Sequence, residues 1–550
     1  MDLIATRALP ARRRSLTVSM VGLAGVAAFV VALLPLAPGV SLILFWLGGA
    51  GTLVALAWRA GGGRPLIWIV TASHVVRTGL AVLLVEISTR GLRLFPSLQL
   101  GDGFWAFAPD SAYYHHYATQ AAIAVRAGLG LPYFAGGSEY PILLAVIYRW
   151  FGPHPLFGAL VNSWIVGCAM LLAFALARGL GGARAGHVAA GLVGFWPSLA
   201  LWSTQLLKDC IILALIFVFL LAVERFYRRS GVALVGPIAL TALTLMLLDR
   251  LRLFVAVCLF VAAVMIGIVK ATVHLARRER GGALGEGALI VILTLAMVAG
   301  VAIKPPSSAD PFSYDEYLQL AELKLSQGDH AGALEQLRIV VRVKYHDKPM
   351  EDADLDRLVQ AELAQLKLKL KTERRVEGSA WRAMIQLEEP TGLWGNLLRF
   401  RTLQNLRKGF LSYKAGSQVD TDVRLTSPWA VVRYLPKAIL NATLTPNPFL
   451  RFAAVGSTGE LRGASMLEIP LVALLLICAI LGARRAFAAA PELTTLLGLY
   501  ALLLAAFLGL AIPTIGVVFR LRLDFVLPLG ILAGVWLEGT GGRRRAPAGA

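Results

Sequence analysis

Cysteine is scarce. The chain has four in 550 residues, Cys168, Cys210, Cys258 and Cys478, each inside an apolar segment. They suit small buried hydrophobes, and neither a disulfide framework nor metal-ligand spacing is visible. Charge is scarce too. Only 16% of residues are charged, against about a quarter in soluble domains, which excludes an ordinary water-soluble fold. Acids are the rarer sign, 33 against 53 Lys and Arg. Also missing are the short alternating segments of a membrane β-barrel and any repeat relating the two halves, as many transporters have.

What is present is apolar: 57% of residues are hydrophobic and the mean hydropathy is +0.68. Runs long enough to cross hydrocarbon as helices recur at about 16–36, 40–57, 66–87, 155–177, 188–203, 208–223, 232–248, 253–269, 286–303, 465–483, 493–512 and 523–538. The expected fold is an all-α polytopic membrane protein of about twelve transmembrane helices, with interfacial helices and a small helical extracytoplasmic insert. The first run follows basic residues, as in a secretory signal. It exceeds the usual apolar core of roughly 7–15 residues, so it reads as an uncleaved span.

Charge orders these spans. Arg7, Arg12, Arg13, Arg14, Arg59, Arg64, Arg178, Arg184, Arg225, Arg228, Arg229, Lys270, Arg277, Arg278, Arg280, Arg484, Arg485, Arg543, Arg544 and Arg545 all fall in alternate connections. The opposite short connections hold only Lys208, Arg250, Arg252, Arg520 and Arg522. Basic short loops stay cytoplasmic, so both termini are expected in the cytoplasm. The segments 88–154 and 304–464 then lie outside. The second contains 23 Lys and Arg and 19 Asp and Glu, nearly balanced, so the basic excess is a topology signal and no nucleic-acid partner is expected.

The resulting organisation is three spans (1–87), a first outer loop (88–154), six spans (155–303), an outer helical insert (304–464), and three spans with a cytoplasmic tail (465–550). In the first loop a helix is expected over 111–127, and 138–152 is too short to span and reads as interfacial. In the insert, Tyr317, Leu320, Ala321, Gly328, Ala333 and Leu337 have the spacing of one tetratricopeptide-like hairpin (314–345), also consistent with an ordinary helical hairpin. A charged helix follows near 353–375, and 428–446 reads as a second interfacial helix.

Between apolar runs lies a polar, aromatic island, Gly101 to Ala122, centred on Asp110 and followed by Tyr113, Tyr114, His115 and His116. The expected topology puts Glu139, Lys208, Asp209, Arg250, Arg252, Arg520, Arg522 and Asp524 on the same face. Charges at span boundaries are costly and tend to pair or face a cavity, so one shared polar cavity is the economical account. Simpler roles stand beside it. Asp110 suits the N-cap of a helix starting at Ser111, Lys208–Asp209 a local ion pair, and Arg250 and Arg252 lipid headgroups. His115 and His116 diverge by about 100° on a helix, which disfavours their sharing a metal with Asp110; no metal ligands are assigned, and a divalent metal is left open as a cofactor. Arg77 and His74 share a face of the third span, with no partner evident.

In order, Asp110 with Tyr113 or Tyr114, Tyr140–Pro141, the Phe151–Gly152 turn, Asn162 and Gly167, Lys208–Asp209, and FRLRLDFVLPLGILAG at 519–534 form a pattern that resembles the GT-C class of membrane glycosyltransferases. The similarity is to bacterial relatives of protein O-mannosyltransferases and of the lipid A aminoarabinose transferase, over about 85–300 and 515–535. Ser111 stands where that family often has Glu. The resemblance implies transfer of a sugar from a polyprenyl-phosphate donor to an acceptor hydroxyl on an envelope glycan, lipid or protein, usually with inversion. Asp110 would then be the base, Arg250, Arg252, Arg520 and Arg522 would bind phosphate, and Tyr113 and Tyr114 the sugar. Glu139, Lys208 and Asp209 would complete the substrate site.

Competing expectations are a transporter or lipid-linked glycan flippase, an unrelated outer-surface polymerase, and a noncatalytic scaffold whose hairpin binds a partner. Membrane lipids are partners in every case. Usage rich in Ala, Gly and Arg suits a GC-rich bacterium, so the bacterial inner membrane is the expected location.

Overall fold

In hydrocarbon a backbone must satisfy its own hydrogen bonds, so long apolar runs become helices. The computed structural model describes residues 24–28, 31, 37–127, 139–302, 317–318, 321–322, 324–344, 351–373, 401–412, 418–425, 427–446 and 465–542. It is an all-α, multi-pass membrane protein. Among the described residues, eight helices are long and apolar enough to cross a membrane. Most of the first expected run, 16–36, lies outside them.

In chain order the helices are α1 (Pro38–Arg59), α2 (Gly63–Arg90), α3 (Pro109–Arg126), α4 (Tyr140–Phe151), α5 (Pro155–Gly181), α6 (Ala183–Phe195), α7 (Pro197–Trp202), α8 (Asp209–Tyr227), α9 (Val235–Ala276) and α10 (Arg280–Ala302). They continue with α11 (His330–Lys344), α12 (Asp352–Glu373), α13 (Arg401–Ser412), α14 (Pro428–Leu444), α15 (Ile469–Ala489), α16 (Pro491–Ala511), α17 (Ile515–Leu521) and α18 (Leu523–Gly542).

Three expected spans change form. The run 188–203 is broken at Trp196–Pro197 into α6 and α7, because proline supplies no N–H to the preceding turn. The runs 232–248 and 253–269 are two helices that meet at a kink at Arg252 (φ −160°, ψ 86°) and are labelled together as α9; one non-helical residue stands in place of the expected connection at 249–252. The span expected from 208 begins at Asp209, leaving Lys208 as the residue before it.

Arg77 explains the α6–α7 break. Fully buried on α2, it donates to the carbonyls of Val193 (3.1 Å), Gly194 (2.7 Å) and Leu199 (2.9 Å), and to the Ser203 hydroxyl (2.6 Å). Carbonyls at a helix C-terminus carry partial negative charge, so the guanidinium satisfies Val193 and Gly194 at the end of α6 and ties them to the start of α7 through Leu199 and Ser203.

α18 is the most enclosed helix: Phe525, Val526, Leu527, Ile531, Leu532 and Ala533 are all buried among α6, α15 and α16. The polar island divides into a hairpin and a helix. Gln99–Gly101 pairs antiparallel with Phe104–Trp105, through a turn with positive φ at Gly101 (93°), Asp102 (53°) and Gly103 (87°), where glycine carries no strain. Ser88 and the Trp105 indole tie this hairpin to α2. In the insert, α11 and α12 bury Ala333, Leu337, Val341, Leu358 and Leu363 with Ala321 and with Ala124 of α3. The Gln120 amide of α3 also donates to Glu362 and to Gln365 (3.0 Å).

Candidate functional site

Three helices begin at one place, and each has an aspartate in its first turn: Asp110 on α3, Asp209 on α8 and Asp524 on α18. A helix N-terminus favours a carboxylate. Asp110 is not the N-cap; that position is Ala108, and no side chain caps the helix. Its carboxylate turns instead towards α17.

Two arginines join the three acids. Arg520 contacts Asp110 Oδ2 through Nη1 at 2.8 Å and Asp209 Oδ2 through Nη2 at 2.9 Å. Arg252 contacts Asp209 Oδ1 through Nη2 at 2.8 Å and Asp524 Oδ2 through Nη1 at 2.6 Å. The result is an alternating chain, Asp110–Arg520–Asp209–Arg252–Asp524. Side-chain exposure drops from 44% at Asp110 through 14% at Arg520 to 5% or less at Asp209, Arg252 and Asp524. Burying such charges costs several kcal/mol each unless every one is paired, and here each is. The kink at Arg252 brings its guanidinium into the cluster as the second cation.

Lys208 adjoins this chain, in the field of Arg252, Asp209, Asp110 and Arg520. Burial, reinforced by Arg252, pushes its ammonium down to about 8. Burial first, and then the Asp110 carboxylate, raise the Tyr114 phenol well above its usual range. The Tyr114 ring packs edge-on against Tyr140, centroids 5.2 Å apart. The turn carrying Lys208 is pinned from two sides. Ser111 Oγ accepts from Leu206 N at 2.9 Å, while Asn162 donates to the carbonyls of Gln205 (2.7 Å) and Leu207 (3.1 Å).

Other expected site residues are elsewhere. Arg250 pairs with Glu139 at 2.8 Å, both partly exposed, outside the five-residue chain. Arg522 is wholly buried and turned away: it donates to the Thr445 carbonyl, approaches Glu468 at 3.4 Å and lies over the Phe519 ring at 4.4 Å. Glu468 also accepts from the Trp196 indole and from Ser198. Tyr113 is half-buried on α3. His115 Nδ1 lies 2.8 Å from the Tyr148 hydroxyl.

Asp524, expected on this face but without a role in the reaction, completes the alternating chain, and Glu468, which is not among the expected residues, completes the cluster around Arg522. The signal for Asp524 is the one that Asp209 gives, an acid opening an apolar run. Glu468 gives none, because its partners come from distant segments. Among the described residues, no group of three or more His, Cys, Asp or Glu side chains is placed to hold a metal. Asp209 and Asp524 are engaged by guanidinium groups, which leaves Asp110 as the exposed carboxylate of the three.

No protein-family model matches this chain, and no curated protein matches it either.

Proposed function

We propose that this chain is an integral-membrane glycosyltransferase of the bacterial inner membrane, with both termini cytoplasmic, about twelve spans and its site at the extracytoplasmic face. It moves a sugar from a polyprenyl-phosphate donor to a hydroxyl of an envelope glycan, lipid or protein. One observation carries this reading: a buried ladder of alternating aspartates and arginines surfaces at the half-exposed Asp110, with Lys208 beside it. A carboxylate next to fixed cations, at the end of a membrane bundle, is what an acceptor hydroxyl and a lipid phosphate require.

In the reaction the acceptor oxygen attacks the anomeric carbon and its proton passes to Asp110. The bond from that carbon to the phosphate oxygen breaks, and its electron pair leaves with the polyprenyl phosphate. Arg520 and Lys208 stabilise the departing charge in a site of low dielectric. Asp209, locked between two arginines, holds Arg520 in position. Tyr113 and Tyr114 contact the sugar, and the Arg250–Glu139 pair borders the entrance.

A transporter or flippase would need a free intramembrane charge such as Arg77, and backbone carbonyls and Ser203 already satisfy that guanidinium. The test is mass spectrometry of envelope glycans and lipid-linked sugars with and without the gene. Loss of one sugar with accumulation of its lipid-phosphate donor is expected, restored by the wild-type gene and not by Asp110→Asn. Unchanged sugars, or restoration by Asp110→Asn, would reject the proposal.

A further inference from the structure

A second surface, independent of the transferase reading, lies on α14. At 17 residues it is shorter than the roughly 20 needed to span, and it packs closely against α16. A Cβ on Gly509 would stand 2.0 Å from the Ala438 carbonyl oxygen, so only glycine permits this approach. Away from α16, Trp429 is 73% exposed, and Val432 and Leu440 are about half exposed. Within one helix these three positions span a stripe of about 80°. α14 touches α15 as well as α16, and their own outward residues, Leu474, Ile477 and Leu502, are likewise exposed. The apolar stripe therefore continues a lipid-facing surface.

Arg433 and Lys437 flank that stripe on one side. They line an open groove of about 380 Å³ with Ser427, Trp429, Ala430 and Tyr434. Lys437 is held 2.5 Å from Asp420, which tempers its charge. Arg433 is exposed and has no carboxylate partner among the described residues. A helix with basic residues beside an apolar face lies in the plane of the interface, tryptophan prefers the headgroup level, and guanidinium matches phosphate in a bidentate way.

We infer that Arg433, with Ser427 and Lys437, binds the phosphate of an anionic glycerophospholipid headgroup while Trp429, Val432 and Leu440 sit in the bilayer interface. The occupant is a bilayer lipid because the cationic groove opens beside an apolar stripe that only acyl chains would cover.

The test uses the full chain in neutral detergent, titrated with phosphatidylglycerol, with bound lipids counted by native mass spectrometry. Arg433→Gln should weaken one site about fivefold, the effect of one basic charge at an anionic surface, and Arg433→Lys should retain it. Because Arg433 is exposed, both variants should melt as the wild type does. Equal phosphatidylglycerol binding by Arg433→Gln overturns the inference. So does displacement by millimolar inorganic phosphate, which marks a free-anion site, or preferential occupation by polyprenyl phosphate, which makes the groove a donor site.

Discussion

Arg520 meets Asp110 across 410 positions of sequence, Nη1 to Oδ2 at 2.8 Å. The same guanidinium holds Asp209 through Nε and Nη2. Arg520 thus links a half-exposed carboxylate to a buried one. Everything proposed for the site depends on that link, and it makes Asp110 and Asp209 separable by experiment.

Asp110→Asn should lower turnover by about 100- to 10,000-fold, the usual contribution of a general base. Melting should change little, since Asp110 is the solvent end of the chain and Asp209 still pairs with Arg520. Turnover on a labelled polyprenyl-phosphate sugar, alongside thermal unfolding in detergent, checks both. Near-normal turnover would remove Asp110 from the chemistry.

Arg252→Ala should destabilise the protein by about 3–5 kcal/mol, because a buried pair broken on one side leaves uncompensated charge. Asp524 would lose its cation, whereas Asp209 would keep Arg520. The double variant Arg252→Leu, Asp524→Leu should therefore be more stable than Arg252→Ala. Denaturant unfolding of the three proteins decides; a double variant no better than the single would contradict the pairing.

Lys208 gives a pH dependence with a definite sign. Its ordinary value of 10.5 falls to about 8 in the fold, through burial first and Arg252 next. Below about 8 it is charged in both folded and unfolded states. Between about 8 and 10.5 the unfolded chain holds a proton that the folded one has released, so stability rises with pH there. Affinity for lipid phosphate should move the other way and weaken as pH passes 8. Binding of polyprenyl phosphate between pH 6.5 and 9.5 tests this, and Lys208→Met should flatten the curve.

Arg77→Leu should cost about 1–3 kcal/mol, since it strands the buried Val193 carbonyl, while Gly194 keeps the Ser73 hydroxyl and Leu199 keeps the Ser203 N–H. Arg77→Lys should rescue only part, because one ammonium cannot reach acceptors on both α6 and α7. Unfolding of Arg77→Leu at the wild-type midpoint would show that the α6–α7 break does not need its clamp.

Much of the fold was legible because hydrophobicity and length act locally. Runs such as 155–177 and 493–512 had to become helices to satisfy their own backbone, and α5 and α16 are the result. The site was legible only as a collection of residues. An open loop over 249–252 would let Arg250 and Arg252 face one cavity. Instead the backbone kinks at Arg252 itself, and the two arginines take Glu139 in one case and Asp209 with Asp524 in the other. Arg520 and Arg522 divide likewise, one to Asp110 and Asp209, the other to the Thr445 carbonyl and Glu468.

By itself the sequence determined that the chain is a bundle of membrane helices, and that aspartates open several of them, since those depend on apolar length and on the residue at each run's start. Only the tertiary structure decided which arginine each aspartate meets, that Arg77 seals the break at Pro197, and that Arg522 points away from the site. Ion pairs between segments hundreds of residues apart are set by how helices pack and where they break, and no local pattern encodes that.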